Sequence, residues 1–177
     1  MTVMSSSAVS KSSQKRLWYR NFRTAAYIST IGSLAWTVLI ILPFRPFSYI
    51  PPIIAGGGPG TWFLFGYVLY LTIGLGGFGG LSTFLYTIEM HEYRRVDNAG
   101  MSIGFTLLLL GETVSCILLG VVGALGGYAL TINSESVTYA QNLLSPFVYP
   151  ITFTTLIAVI GAALTILAMA RAKVVSN

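Results

Sequence analysis

The chain has 177 residues, of which 54% are hydrophobic and only 8% charged, with a mean hydropathy of +0.76 and a formal net charge of +5. A soluble domain carries about 25% charged residues; one third of that share cannot cover a water-facing surface, so lipid or other proteins must cover it. A helix of about 20 residues spans the hydrocarbon core, which leaves room for four or five spans and one compact bundle.

Residues 1–23 are Ser-rich and then basic, with Lys11, Lys15, Arg16, Arg20 and Arg23. Trp18, Tyr19 and Phe22 are interleaved with the last of these. Rings at headgroup level and cations facing anionic lipid suit a membrane–water interface, so Trp18, Tyr19, Arg20 and Arg23 are expected to be interfacial anchors. The apolar run that follows is too long for the core of a signal peptide, and no small-residue cleavage site follows it. An uncleaved cytoplasmic arm is the reading.

Ala25–Phe44 is the first expected span, about 30 Å at 1.5 Å per residue. Ala26, Ser29, Thr30, Ser33 and Thr37 recur at helical spacing. In lipid such small, hydroxylated stripes mark helix–helix faces. Ser48–Gly60 is a Pro/Gly loop in which regular structure is not expected; its apolar residues lie against the bundle or the interface, or dock a partner subunit. Thr61–Ile88 is the second span, overlong and therefore tilted or projecting. A regular helix puts Gly66, Tyr70, Gly74, Gly77 and Gly80 on one face, and Gly76 and Gly80 form GxxxG, which permits close backbone approach.

A short charged turn with Glu89, His91, Glu92, Arg94, Arg95 and Asp97 leads to the third span, Gly100–Leu130. Thr131–Ser145 is expected to be a polar loop. Phe147–Ala170 is the fourth span, with a small stripe of Thr154, Ala158, Gly161 and Thr165, and residues 174–177 form a short tail. The transmembrane domain thus runs over 24–173. Gly76, Gly80, Gly104, Gly111, Gly120, Gly123 and Gly127 are expected packing sites. By depth, the inner Gly76, Gly80, Gly104 and Gly111 make the contact between the second and third helices. The outer Gly120–Gly127 cluster is left for the first helix, the fourth, or another chain.

Orientation follows from the basic residues. Of the ten Lys and Arg, only Arg45 lies on the side opposite the two termini and the Glu89–Asp97 turn. The positive-inside rule then predicts an all-α bundle of four transmembrane helices with both termini cytoplasmic, in the plasma membrane.

Glu112 is the one ionisable carboxyl deep in a span. A charge there is expensive, so the group is expected to be protonated, hydrogen-bonded, or facing a polar cavity. Ser115 and Cys116 share its face at i+3 and i+4. A proton or ion relay is one reading; an interhelical hydrogen bond to the Ser/Thr stripe of the first helix is the other. Glu89, His91 and Glu92 invite a metal reading, but His91 points about 100° away from Glu92 on a helix. A solvated charge cluster with Arg94, Arg95 and Asp97 is expected instead, with no metal site. A single histidine excludes an intrinsic bis-histidine haem or three-histidine copper centre. No phosphate-binding loop, nucleophile elbow, Cys-x-x-Cys or nucleotide fingerprint is present, and no nucleic-acid module. No catalytic residues are assigned.

The stretch GPGTWFLFGYVLYLTIGLGGFGGLSTFLYTIE (58–89) resembles the Gly/aromatic helices of small archaeal proteins described as haem-copper-oxidase-subunit-I-like. That resemblance implies a small companion of a membrane redox complex. It carries no catalytic residues over, because the ligand histidines are missing and His91 stands alone outside the hydrocarbon. The expected function is a non-catalytic accessory subunit packing against other integral membrane subunits of a respiratory oxidase or a copper membrane monooxygenase. Haem or copper would then belong to partner subunits, with none intrinsic. The alternatives are a small proton- or ion-coupled transporter or channel using Glu112, and a tetraspan scaffold.

Overall fold

A computed structural model describes residues 17–174. Four helical runs are long and apolar enough to cross a membrane: Trp18–Ile41, Pro59–His91, Asn98–Thr131 and Val137–Ala170. The chain is an all-α, multi-pass membrane protein. Residues 1–16 of the expected arm lie outside the described residues, as do 175–177 of the tail.

The first helix starts at Trp18 rather than Ala25 because tertiary contacts cap it. Leu17 offers no side-chain cap. Instead the Trp18 N–H donates to Glu89 Oε1 at 3.1 Å and the Tyr19 N–H to Glu89 Oε2 at 3.3 Å. Two of the amides that every helix leaves unsatisfied at its N-terminus are met in this way, across the bundle.

Both expected loops at the opposite end are partly helical. Ile50–Ala55 is a short helix although it contains Pro51 and Pro52. Proline is tolerated in a first turn, where its missing N–H has no partner to lose. Gly57 and Gly58 then take positive φ angles of 69° and 53°, a backbone region that favours glycine, and turn the chain into the second span. Val137–Leu144 is also helical, with the Ser136 hydroxyl accepting the Tyr139 N–H at 3.1 Å.

The second helix departs from regular geometry. Over Tyr70–Gly77, and again over Thr87–His91, it widens to the i→i+5 pattern. Widened turns take up extra residues, so the inward face runs through Gly66, Tyr70, Gly74, Phe78 and Ser82, at steps of four instead of 3.6. Gly76, Gly79 and Gly80 are turned off that face, and a Cβ on any of the three would meet nothing within 4 Å. The packing expected at Gly76 and Gly80 within the chain is therefore not made.

The third helix is central. Its Gly104 and Gly111 lie against the fourth helix, not the second: an added Cβ would stand 2.8 Å from the Thr165 nitrogen and 2.5 Å from the Ala158 nitrogen respectively. Gly161 reciprocates against the Leu108 nitrogen. In the outer cluster Gly120 meets the first helix, as expected, while Gly123 and Gly127 make the contact with the second helix that was expected of the inner glycines. Gly123 meets Phe63 of the second helix, Gly127 meets Ile53 and Gly60, and Gly120 meets the Trp36 ring. At the other end the first helix packs into the angle between the second and third, its Phe22 ring 6.0 Å from Phe78 and 4.8 Å from Phe105, which themselves stand 6.2 Å apart.

Arg94–Arg95 pairs antiparallel with Lys173–Val174. This short bridge, with the Glu89 bonds to the first helix, gathers both described ends and the middle turn at one end of the bundle, called here the terminal end. The opposite end carries the connections that contain Ile50–Ala55 and Val137–Leu144 and is called the loop end.

Candidate functional site: a buried carboxyl at the widened turn

Glu112 projects from the middle of the third helix and is 2% exposed. It faces the widened turn of the second helix and the first helix at Ser29. A Cβ on Gly74 would stand 2.9 Å from Ser29 Oγ and 3.3 Å from Glu112 Oε1. Gly74 is therefore the residue that admits the carboxyl between the helices. Neither Glu112 oxygen has a hydrogen-bond partner among the described residues. The interhelical hydrogen bond expected from Glu112 to the first helix is not formed. Ser115 turns the other way and shares a 2.7 Å hydrogen bond with Thr155 of the fourth helix, while Cys116 is buried as a free thiol.

From Glu112 a row of hydroxyls runs toward the loop end between the first two helices. Ser29 comes first, with the Tyr70 hydroxyl facing it. Ser33 follows one turn on; it is 3% exposed and its hydroxyl has no partner among the described residues. Thr37 Oγ1 donates to the Ser33 carbonyl at 2.8 Å and shares a 2.8 Å bond with the Tyr67 hydroxyl. Toward the terminal end the surroundings change. Phe22, Phe78, Trp18 and Phe105 form one aromatic cluster, with Phe22 and Phe78 fully buried. No basic residue among the described ones lies inside a span at this depth: Arg20, Arg23, Arg45, Arg94, Arg95, Arg171 and Lys173 all lie near helix ends.

The charged turn does not form the solvated cluster expected of it. Glu89 is 5% exposed and is engaged with the first helix. Asp97 caps the third helix, accepting the Ala99 N–H at 3.3 Å and the Gly100 N–H at 2.9 Å. Glu92 forms a 3.4 Å ion pair with Arg94, Arg95 lies in the two-stranded bridge, and exposed His91 stacks edge-on against Tyr86 at 5.6 Å. Among the described residues no three His, Cys, Asp or Glu side chains converge. The expected anchors also separate. Trp18 is 2% exposed, and its indole N–H donates to Asn98 Oδ1 at 2.9 Å, so it is a core residue. Tyr19 is half-buried and carries the Arg23 guanidinium over its ring at 5.5 Å, while Arg20 is exposed.

Sequence reasoning missed Tyr70 and Gly74 as neighbours of the carboxyl. The signal available was the hydroxyl stripe of the first helix, together with Tyr70 and Gly74 on one face of the second.

Fold and site together define a four-helix membrane protein with an unpaired carboxyl at mid-bundle. Comparison with family models, with curated proteins and with solved structures finds no match.

Proposed function

We propose that this chain is a non-catalytic accessory subunit of a larger membrane-embedded enzyme complex, packing against other integral membrane subunits. Gly76, Gly79 and Gly80 carry this reading: they crowd one helix face, and a Cβ on any of them would meet nothing within 4 Å among the described residues. Glycine in a helix is less favourable than alanine by about 0.5–1 kcal/mol, and the other span glycines except Gly77 sit at close approaches. A bare glycine face in lipid is suited to a helix from another subunit. The resemblance of 58–89 supplies the host class, a respiratory oxidase or copper membrane monooxygenase, in which haem or copper is held by the partners. The basic terminal end faces the cytoplasm and its anionic lipid, in the plasma membrane.

The test uses native gels after mild solubilisation. Wild-type protein is expected to co-migrate with larger membrane subunits that carry haem or copper absorbance. Gly76→Leu/Gly80→Leu is expected to keep the stability of the isolated chain and to leave the complex. Retention of the double variant in the complex, or migration of the wild type alone, overturns the reading.

A second reading, a small proton- or ion-coupled transporter or channel, is favoured by Glu112. It is an ionisable group buried inside a span, and such a group is by default a candidate functional site.

A further inference from the structure

We propose that Glu112 is a proton-exchange site reached from the loop end alone, through the hydroxyls of Ser29, Tyr70, Ser33, Tyr67 and Thr37. This deepens the second reading and rests on it.

Three observations carry the inference. First, the carboxyl is unpaired and no basic side chain shares its depth, so it holds a proton at rest; an isolated carboxylate is not tolerated in so apolar a setting. Second, hydrogen-bonding capacity is left over at two points of the row, Glu112 and Ser33. Ser29 and Tyr70 stand between them, and the Thr37–Tyr67 pair continues the row outward. Neither Glu112 nor Ser33 reaches a neighbouring hydroxyl directly among the described residues, so water bridges the steps on either side of them; hydroxyls both donate and accept, and each takes a proton on its oxygen while releasing its own to the next. Third, the terminal side offers no such row. The interlocked rings of Phe22, Phe78, Phe105 and Trp18 fill that direction. The next hydroxyl beyond them, Ser82, lies behind these rings, where it donates to the Tyr19 carbonyl at 3.0 Å.

The titratable groups facing Glu112 are Tyr70 from the second helix and Cys116 from its own. The first helix presents Ser29 and Ser33, and no ionisable residue occurs in the fourth helix, Val148–Ala170, apart from Tyr149 at its far loop end. When the proton leaves, it passes from the carboxyl oxygen to the row, and the carboxylate left behind must be reprotonated along the same route. The widened turn at Gly74 keeps the carboxyl beside Ser29.

Infrared spectroscopy of the full chain in lipid tests this. The carbonyl stretch of a neutral carboxyl, present in the wild type and absent from Glu112→Gln, reports the proton. Transfer to D2O shifts that band at a rate set by access. Ser33→Ala and Tyr70→Phe, each removing one hydroxyl without adding bulk, are expected to slow the shift by about tenfold or more. Ser82→Ala, on the aromatic side, is expected to leave it unchanged. If the wild type lacks the band, the proton-site reading itself fails. If the band is present but does not exchange, exchanges equally fast in both hydroxyl variants, or slows with Ser82→Ala, the protonated site stands and the one-sided route is overturned.

Discussion

Glu112 and the glycines divide the residues of the third helix into two kinds. Glycine at 111 and 104 is required by backbone contact with the fourth helix, where the neighbouring atoms are main-chain nitrogens that cannot move aside. Gly111→Ala is therefore expected to lower stability by about 1–3 kcal/mol, the usual range for overpacking. Gly80→Ala, facing open space, is expected to be neutral or to stabilise by up to about 1 kcal/mol through helix propensity. Unfolding midpoints in a denaturing detergent titration check both; equal effects at the two positions would remove the distinction. Glu112 is different, since it satisfies nothing. Replacing a buried polar group by an apolar one of similar shape is neutral or stabilising when that group had no partner. Glu112→Met is thus expected to hold or raise the midpoint. A clear fall would mean that the carboxyl has a structural hydrogen bond after all.

At the scale of elements, the second helix decides the architecture. Its widened turn over Tyr70–Gly77 takes Gly77 and Gly80 off the inward face that begins with Gly66, Tyr70 and Gly74. Regular 3.6-residue periodicity reads Gly66, Tyr70 and Gly74 correctly and fails at Gly77 and Gly80, beyond the point where extra residues enter the turn. The ends of helices are also settled by contacts. Glu89 accepts the first two amides of the first helix from 71 and 70 residues away in sequence, so Glu89→Ala is expected to unravel that turn. The expected loss is about 1–3 kcal/mol, as for hydrogen bonds to an acidic group. Hydrogen exchange at the Trp18 and Tyr19 amides checks it, and unchanged protection would count against the cap. Asp97 is an ordinary local cap, exposed and followed directly by its helix. Asp97→Ala should cost about 1 kcal/mol, read as faster exchange at Ala99 and Gly100 with the rest of the third helix unaffected.

On the scale of the whole molecule, both described ends and the charged turn sit together while Arg45 and Glu135 belong to the loop end. His91 and Glu135 are exposed, and the natural Cys116 is buried, so single cysteines at the first two positions report sidedness without interference. An impermeant thiol reagent added to intact cells is expected to label Glu135→Cys and to spare His91→Cys until the membrane is opened. The reverse pattern would invert the proposed orientation.

Membrane insertion and the number of spans are written in local composition: long apolar runs and a charge content too low for water dictate four crossings whatever packs against what. The small faces of the first and fourth helices were legible for the same reason, since Ser29, Ser33, Ala158 and Thr165 recur at regular helical spacing and all are buried. Which helix meets which glycine was decided only in three dimensions. All the spans are apolar, so lipid exposure does not distinguish their faces; close packing does, and it depends on the contacts of Gly123 with the second helix, the packing of Phe22 against Phe78 and Phe105 and the widened turn at Gly74. The same contacts placed Glu89 and Trp18 in the interior and left Glu112 without a partner, because a side chain's neighbours across a bundle are set by helix rotation, which the residues of one helix do not encode alone.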